Sequence, residues 1–253
     1  MDLNGKVVVV TGGARGIGKA IGSAFAERGA HIALLDLQAD DVETTGAELT
    51  RRGATVSTHT LNVAKEDEVI RTFDDIVQRH GRLDVLVNNA GIIKDALLVK
   101  VKDGVVVGKM SLAQWQAVID VDLTGVFLCG REGADRMVRL GNGGVIINIS
   151  SISRAGNAGQ SNYSAAKSAV AALAVTWAKE LARFGVRAAA IAPGFVRTDL
   201  TAGMEPEILA KVTAPVPLKR LGLPEEIAHT AVYIAENDFF TGRCVDVDGG
   251  LRL

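Results

Sequence analysis

The chain has 253 residues, 48% of them hydrophobic, and a formal net charge of -1 at pH 7. One α/β domain spanning residues 1–253 fits this length, and a near-zero charge without a basic run argues against a nucleic-acid partner. Two isolated cysteines do not make a disulfide framework, which fits a reducing compartment. Because no stretch approaches the ~20 apolar residues of a signal-anchor or membrane span, we expect a soluble, cytoplasmic protein with no membrane partner.

Short β-branched runs alternate with longer amphipathic stretches along the whole chain. Several of the runs are apolar throughout, as in a parallel sheet covered on both faces. The predicted strands are Val7–Val10, His31–Leu35, Thr55–Leu61, Val85–Val87, Val145–Ile149, Val186–Ile191 and Cys244–Val247. Helical periodicity marks Lys19–Arg28, Glu66–Arg79, Leu112–Ile119 and Pro224–Ala235. This alternation predicts a Rossmann-type, doubly wound, mainly parallel seven-stranded sheet with helices on both faces, in a single domain.

The first strand runs directly into a glycine-rich turn, Thr11-Gly-Gly-Ala-Arg-Gly-Ile-Gly18, which a helix follows. Glycines at such a turn let the backbone approach a pyrophosphate, and the helix N-terminus supplies free N–H groups and a positive dipole. A strand before the turn and a helix after it are the context that such a motif requires. The residues expected to bind the cofactor here are Gly12, Arg15, Gly16, Ile17 and Gly18.

Asp36, followed by Leu37, closes the second strand and is expected to select the cofactor. A carboxylate at this place accepts hydrogen bonds from the adenosine ribose and repels a 2'-phosphate, so NAD is favoured over NADP. Arg15 is the opposing indication, because a cation in the turn could hold the extra phosphate. Asn62 and Val63, after the third strand, are expected to flank the adenine.

The segment after the fourth strand, Asn88-Asn-Ala-Gly91, is expected to form the next wall of the cofactor cleft through Asn89, Ala90 and Gly91.

Tyr163 and Lys167 stand four residues apart at the start of a predicted helix, Tyr163–Phe184, so both side chains lie on one face. A free phenol titrates near ~10. An ammonium about 4 Å away, at an effective dielectric of ~20, is worth roughly 4 kcal/mol and would lower a phenol's pKa by about 3 units. A phenol of this kind can exchange a proton with an alcohol or a carbonyl oxygen.

Four motifs occur in the order seen in short-chain dehydrogenases/reductases: the glycine turn, the Asn-Asn-Ala-Gly segment, Tyr163-x3-Lys167 and Pro193-Gly194. The chain resembles that family from Leu3 to Gly250. Within that family it looks most like the 3-oxoacyl-[acyl-carrier-protein] reductase group. The resemblance implies a homotetramer or homodimer that interconverts a secondary alcohol and a ketone, or a 3-hydroxyacyl and a 3-oxoacyl compound, using a nicotinamide cofactor, which Asp36 indicates is NAD. The cofactor half would span about 1–150 and the catalytic half about 151–253.

The resemblance also implies roles for residues of the catalytic half. Tyr163 would be the acid/base, and Lys167 would make its proton easier to lose and would bind the nicotinamide ribose. A serine at the end of the fifth strand would hold the substrate oxygen. The residues implied at the nicotinamide end of the cofactor are Tyr163, Lys167, Pro193, Gly194, Val196 and Thr198.

The identity of the substrate serine is the first departure from the family pattern. Counting thirteen residues back from the tyrosine gives Ser150, whereas the strand register matches Ser151 with one residue missing from the following loop. A one-residue shift turns a strand side chain to the other face, so only one of the two can point at the substrate. A loop deletion leaves strand register alone, which favours Ser151.

Asp122 is the second departure, because the family has an asparagine there that holds a water beside the lysine. Aspartate keeps the shape but loses the N–H donors. If ionised, it would raise the lysine pKa and add negative charge near Tyr163. The replacement of asparagine by aspartate is either structurally neutral or impairs the proton relay, and the sequence leaves both interpretations open. The alternative function is therefore a catalytically impaired dinucleotide-binding regulator or scaffold.

Outside these motifs, Val99–Lys109 alternates with period two around Asp-Gly and predicts a β-hairpin at about 99–110. It is either a surface excursion or part of a substrate lid or subunit contact. The segment Thr198–Pro217 is typical of a mobile lid. Arg131, Arg136 and Arg139 form either a basic patch for a carrier protein or a solvated helix face. Four scattered histidines predict no metal site.

Overall fold

Seven parallel strands form one sheet in the computed structural model, which describes residues 1–198, 201, 203 and 205–252. A separate antiparallel pair, β5 and β6, lies outside this sheet. The strands are β1 (Val7–Thr11), β2 (His31–Asp36), β3 (Val56–Thr60), β4 (Val85–Asn88), β5 (Val99–Lys102), β6 (Val105–Lys109), β7 (Gly144–Ile149), β8 (Val186–Pro193) and β9 (Cys244–Val247). The order β3-β2-β1-β4-β7-β8-β9 reverses direction between β1 and β4, so the predicted doubly wound sheet is confirmed.

Helices connect the strands and cover both faces of the sheet. They are α1 (Gly16–Ala26), α2 (Ala39–Arg51), α3 (Glu66–His80), α4 (Leu112–Ile119), α5 (Val126–Leu140), α6 (Ser161–Leu181), α7 (Pro206–Thr213) and α8 (Pro224–Glu236). A π-helical turn, Asp120–Gly125, joins α4 to α5, and a short 3-10 turn, Ile152–Ala155, precedes α6. In the part of the chain that the structure describes, no helix has the length and apolar character needed to cross a bilayer.

Two hydrophobic cores lie on opposite faces of the sheet. Val8 and Val10 point into one core, under α1, α2 and α8, while Val7 and Val9 point into the other, under α3, α5 and α6. All four valines are fully buried, because successive strand residues alternate between faces that are both covered. This explains why the first strand is apolar at every position. Fully burying one such side chain stabilises the fold by about 1.5–3 kcal/mol.

The hairpin of β5 and β6 has the opposite character. Its turn places Asp103 and Gly104 at φ 51° and 76°, as a two-residue hairpin turn requires. The apolar side chains on and just before it are 49% to 69% exposed. They are Leu97, Leu98, Val99, Val101, Val105, Val106 and Val107. In the described chain these strands therefore contribute no buried core.

Three of the four histidines gather where β2, β3 and the end of α3 meet. His59 Nε2 lies 3.1 Å from Ser57 Oγ, which in turn lies 3.3 Å from His80 Nε2, and the rings of His31 and His80 are 6.0 Å apart. Burial lowers the pKa of His59, against the smaller opposing effect of the Asp75 carboxylate. Burial and the neighbouring His31 also lower the pKa of His80.

These histidines should make stability fall in acid. The unfolded chain binds their protons from about pH 6.5 downward. The folded chain binds them only at lower pH, so the free energy of unfolding decreases as pH falls below about 6.5. In urea unfolding at pH 7.5 and pH 5.5, His59→Gln should lose less stability between the two pH values than the parent protein. The exposed His229, changed to Gln, serves as the control. Equal losses in parent and His59→Gln would contradict this prediction.

Candidate active site

The turn after β1 is shaped to receive an anionic group. Gly12 and Gly16 have φ angles of 62° and 52°, in the left-handed region that favours glycine. A side chain on Gly18 would overlap the carbonyl oxygen of Gly12, so the helix packs directly on the turn. Helix α1 begins at Gly16 with no side-chain cap and no acidic residue in its first turn. The N–H groups of that turn, which have no intrahelical partner, suit a pyrophosphate.

Asn89, after β4, holds this turn in place. Its backbone N–H and that of Ala90 donate to Thr11 Oγ1 at 3.0 and 3.1 Å. Its side-chain amide donates to the carbonyl oxygens of Thr11 and Gly12 at 3.1 and 3.0 Å. Asn89, which the sequence predicts as part of a wall of the cleft, also donates to the turn itself through its Nδ2. Thr11, which the sequence analysis did not single out as a site residue, provides the shared acceptor.

Asp36, at the end of β2, lies beside the same turn. Its Oδ2 accepts a hydrogen bond from the Ala14 N–H at 3.1 Å, and its Oδ1 accepts one from the Gln38 N–H at 3.2 Å. Leu37, next to it, is 60% exposed. The side chain of Arg15 is exposed and forms no ion pair with any residue that the structure describes.

Asn62 and Val63 follow β3, close to Asp36 in space, because the Leu61 N–H donates to the Asp36 carbonyl oxygen at 3.0 Å. Asn62 Oδ1 accepts from the Ala64 N–H at 3.0 Å, which folds the chain back after the strand. Val63 packs on the π-helical turn, where a side chain on Gly125 would come within 2.8 Å of Val63 Cγ2.

The segment after β8 closes the other side of the cleft. The Gly194 N–H donates to the Val247 carbonyl oxygen, one residue beyond Pro193, and Val196 is buried. A Cβ on Gly16 would lie 3.4 Å from Thr198 Cγ2, so the fold brings Thr198 next to the glycine turn. The expected lid, residues 198–217, includes residues 199, 200, 202 and 204, which lie outside the described residues.

Lys167 is buried one helical turn after Tyr163 on α6. Its Nζ lies 5.4 Å from the centre of the Tyr163 ring, donates to the Ile149 carbonyl oxygen at 3.0 Å and lies 3.1 Å from Asp122 Oδ2. Burial is the largest single effect and lowers the pKa of Lys167, but the Asp122 carboxylate and Tyr163 together outweigh it, so the pKa is raised. The sequence analysis expected an ionised Asp122 to raise the lysine pKa, and the structure places the Asp122 carboxylate in direct contact with this lysine.

Asp122 sits in the π-helical turn with its side chain fully buried. Its Oδ1 accepts from the Ile92 N–H at 2.8 Å. Burial raises the pKa of Asp122, and the Lys167 ammonium and the Ile92 N–H oppose that rise. Gly91 leaves room for the pair, since a Cβ there would lie 2.7 Å from Asp122 Oδ2.

The two neighbouring serines have different partners. Ser150 Oγ donates to the Lys167 carbonyl oxygen at 2.7 Å and is buried against α6. Ser151 Oγ accepts from the Ser153 N–H at 3.1 Å and caps the 3-10 turn. The Ser150 proton is therefore committed to the backbone, while Ser151 Oγ, among the residues that the structure describes, acts only as an acceptor.

The sequence analysis did not assign a role to the amides that hold the start of α6. Asn162 is fully buried, its Oδ1 accepts from the Tyr163 N–H at 2.9 Å, and its Nδ2 donates to the carbonyl oxygens of Lys94 and Gln114 at 3.0 Å. Gln160 Nε2 donates to the Asp95 carboxylate at 3.1 and 3.2 Å. The run of amides directly before the tyrosine was the available signal. It fastens Tyr163 to the segment that leads into the hairpin.

The three arginines of α5 are balanced by carboxylates. Arg131 pairs with Glu66 at 2.6 Å, Arg136 with Asp74 at 2.7 Å and Arg139 with Asp135 at 2.8 Å. Arg131 and Arg139 therefore lie on a helix face of mixed charge and Arg136 is largely buried, so these ion pairs favour the helix-face interpretation over a free basic patch for a carrier protein.

Comparisons with known proteins find relatives along nearly the whole chain. A family model described as enoyl-(acyl carrier protein) reductase matches residues 12–252. The chain is 39% identical to the 3-oxoacyl-[acyl-carrier-protein] reductase of Thermotoga maritima, with all of both chains covered. It is 41% identical to the enzyme of the same name from Synechocystis, covering 99% of this chain and 98% of that protein. A crystal structure of a proposed gluconate dehydrogenase from Agrobacterium tumefaciens superposes with a TM-score of 0.90 at 35% identity, covering 99% and 97% of the two chains.

The close approach of Gly91 to Asp122 gives a stability prediction. Gly91→Ala should lower the free energy of unfolding by about 1–3 kcal/mol, because the new methyl group overlaps the buried carboxylate. Gly108→Ala is the matched control, since a Cβ there would meet nothing closer than Lys100 Cβ at 3.9 Å. Urea unfolding of both variants is the measurement. If Gly91→Ala and Gly108→Ala had the same free energy of unfolding, the prediction would be contradicted, because the ion pair would then be able to move aside.

Proposed function

Because the chain belongs to the short-chain dehydrogenase/reductase family of oxidoreductases, we propose that it interconverts a secondary alcohol and a ketone with NAD. The preferred form of the substrate is a 3-hydroxyacyl or 3-oxoacyl compound. The single observation that carries this proposal is the meeting of three features at one edge of the sheet. These are the glycine turn, the buried Lys167 beside Tyr163, and Ser151 with an uncommitted proton.

The residues of the cleft fit a nicotinamide dinucleotide. Gly12, Gly16 and the first turn of α1 suit the pyrophosphate, and the Asp36 carboxylate suits a ribose with free hydroxyls. Asp36 supports NAD, because a 2'-phosphate placed beside this carboxylate would be repelled. The exposed Arg15 is the feature that a 2'-phosphate would use instead. When bound, the nicotinamide supplies or accepts the hydride.

The protein's own side chains manage the proton. In reduction the Tyr163 hydroxyl donates its proton to the carbonyl oxygen of the substrate, and in oxidation the phenolate takes the hydroxyl proton back. Ser151 donates a second hydrogen bond to the same oxygen, and Ser150 fixes the strand end against α6. Lys167 presents a positive charge to the phenol and would hold the nicotinamide ribose. Asn162 keeps the start of α6 in register with the cleft.

The substrate class rests on the relatives and on the hairpin. The relatives from Thermotoga maritima and Synechocystis carry the name of 3-oxoacyl reductases. The hairpin is joined to the site through the Ala96 N–H, which donates to the Gly159 carbonyl oxygen at 2.9 Å, and it offers exposed apolar side chains close by. An apolar acyl chain could pack on these side chains, whereas a sugar acid has no apolar chain to bury against them. NADH absorbance with 3-oxoacyl thioesters, β-keto esters and gluconate separates these substrates.

A catalytically impaired regulator or scaffold is the second candidate, and the buried Asp122–Lys167 pair is the observation that favours it. Bound cofactor with no turnover of any compound in that panel would support the regulator.

Assembly stays a proposal as well. The exposed side of α6 carries small or short side chains, including Ala165, Ala172 and Val175. Such a surface lets a second helix approach closely, which supports the homotetramer or homodimer expected of a cytoplasmic member of the family.

Tyr163→Phe tests the acid/base role. Loss of the hydroxyl should lower kcat by at least about 100-fold, the usual contribution of a positioned acid or base, while NAD binding stays nearly unchanged. Turnover followed at 340 nm and NAD binding by calorimetry are the measurements. Tyr233→Phe, on the exposed part of α8, is the control and should keep full turnover. Retained turnover in Tyr163→Phe would remove the phenol from the mechanism.

Asp36→Ala tests cofactor selection. The variant should narrow the preference for NAD over NADP by about tenfold or more, because charge-assisted hydrogen bonds to the ribose are lost and repulsion of the 2'-phosphate ends. The ratio of kcat/KM for the two cofactors is the measurement. Asp40→Ala, an exposed change on the neighbouring α2, is the control. An unchanged ratio in Asp36→Ala would assign the selectivity to other residues.

A further inference from the structure

Asp122 is a fully buried carboxylate that the fold directs at the lysine of the site. Its Oδ1 is satisfied by the Ile92 N–H at 2.8 Å. Its Oδ2 accepts no well-aligned hydrogen bond from the described residues and faces Lys167 Nζ at 3.1 Å. Removing one member of such a pair leaves the other as an uncompensated buried charge. The two charges therefore have to be considered together in their effect on Tyr163.

Few other charges reach this pair in the described chain. Helix α4 and strand β7, which pack against α6, contain no charged residue. Charged groups on or beside the other elements that pack against α6 have partners of their own or are exposed. Among the carboxylates, Asp120 accepts a hydrogen bond from Gln116, and Asp95 accepts one from Gln160. Among the cations, Arg154 pairs with Asp246 at 2.7 Å, and Lys94 is exposed. Arg187 of β8 donates to the carbonyl oxygens of Ile234 and Phe240.

We propose that Asp122 is a positioning residue that acts through Lys167. Its carboxylate compensates the ammonium, so the Tyr163 phenol keeps its proton to a higher pH than the lysine alone would allow. The proposal rests on the proposed function and deepens it. Reduction requires the protonated phenol and is therefore favoured at neutral pH. Oxidation requires the phenolate and gains rate toward alkaline pH.

The physical reason is the short distance within the pair compared with the distance to the phenol. An ammonium and a carboxylate at 3.1 Å act at longer range as a dipole, whose field falls off faster than that of a single charge. An uncharged amide in place of Asp122 would leave the full charge of Lys167 acting on the ring at 5.4 Å.

The amino-acid composition allows a direct measurement, because the chain has two tyrosines. In a Tyr233→Phe background the ultraviolet absorbance of phenolate reports Tyr163 alone, without cofactor or substrate. Asp122→Asn should lower the pH at which half of the phenolate forms by about one unit. The pH for half-maximal oxidation should fall in parallel. Asp120→Asn is the matched control, since it removes a charge from the same π-helical turn without touching Lys167.

An unchanged or higher midpoint in Asp122→Asn, with a cooperative thermal transition showing that the variant is folded, would overturn the proposal. Lys167→Gln provides a second measurement that does not depend on the folding of Asp122→Asn. With the ammonium gone, the Asp122 charge should move the phenolate midpoint above the value of about 10 for a free phenol. A midpoint at or below that value would also overturn the proposal.

These titrations are made on the protein without cofactor, so they separate two kinds of failure. If Tyr163→Phe keeps turnover, the proposed acid/base role of Tyr163 is refuted, but the titrations still show whether Asp122 affects the ionisation of the phenol. If the coupling is absent while Tyr163→Phe is inactive, only the role of Asp122 is withdrawn.

Discussion

The reversal of strand order between β1 and β4 is the constraint on which the site depends. Both strands are parallel, fully buried and end at the same edge of the sheet, so the chain after each of them must pass close to the other. The contact is tight, because a Cβ on Gly12 would lie 2.9 Å from Ala90 Cα. The glycine turn, the Asn89 bridge and the residues of α6 are all placed relative to this crevice.

Beside Tyr163, the electrostatics of the crevice are set by the pair of Lys167 and Asp122 and not by a single charge. A lone buried ammonium would carry a large desolvation cost, and Asp122 offsets it at 3.1 Å. The same contact reduces the field that Lys167 exerts on Tyr163. Stability and reactivity therefore make opposite demands on one side chain. This opposition underlies both functions that we propose for the chain.

The β5–β6 hairpin differs from the seven-stranded sheet because its apolar side chains are exposed. Its valines contribute nothing to either core, and the polar network of Asp95, Gln160 and Asn162 fastens its base to the start of α6. A surface that is apolar, exposed and tied to the segment that positions Tyr163 is consistent with a role in binding an acyl substrate or a second subunit.

Local patterns in the sequence determined the fold class and the order of the motifs. Uninterrupted valines in β1 require burial on both faces, glycines permit the turn at Gly12, and a four-residue spacing puts Tyr163 and Lys167 on one helix face. Only the tertiary structure decided the partners. The family resemblance puts Asp122 in the neighbourhood of Lys167, but the structure sets their distance at 3.1 Å, and it places Asn89 on Thr11 and the proton of Ser150 on α6. These contacts join residues that are 17 to 78 positions apart in the sequence. Their energies depend on burial and on distance, and both are set only when the strands and helices pack together.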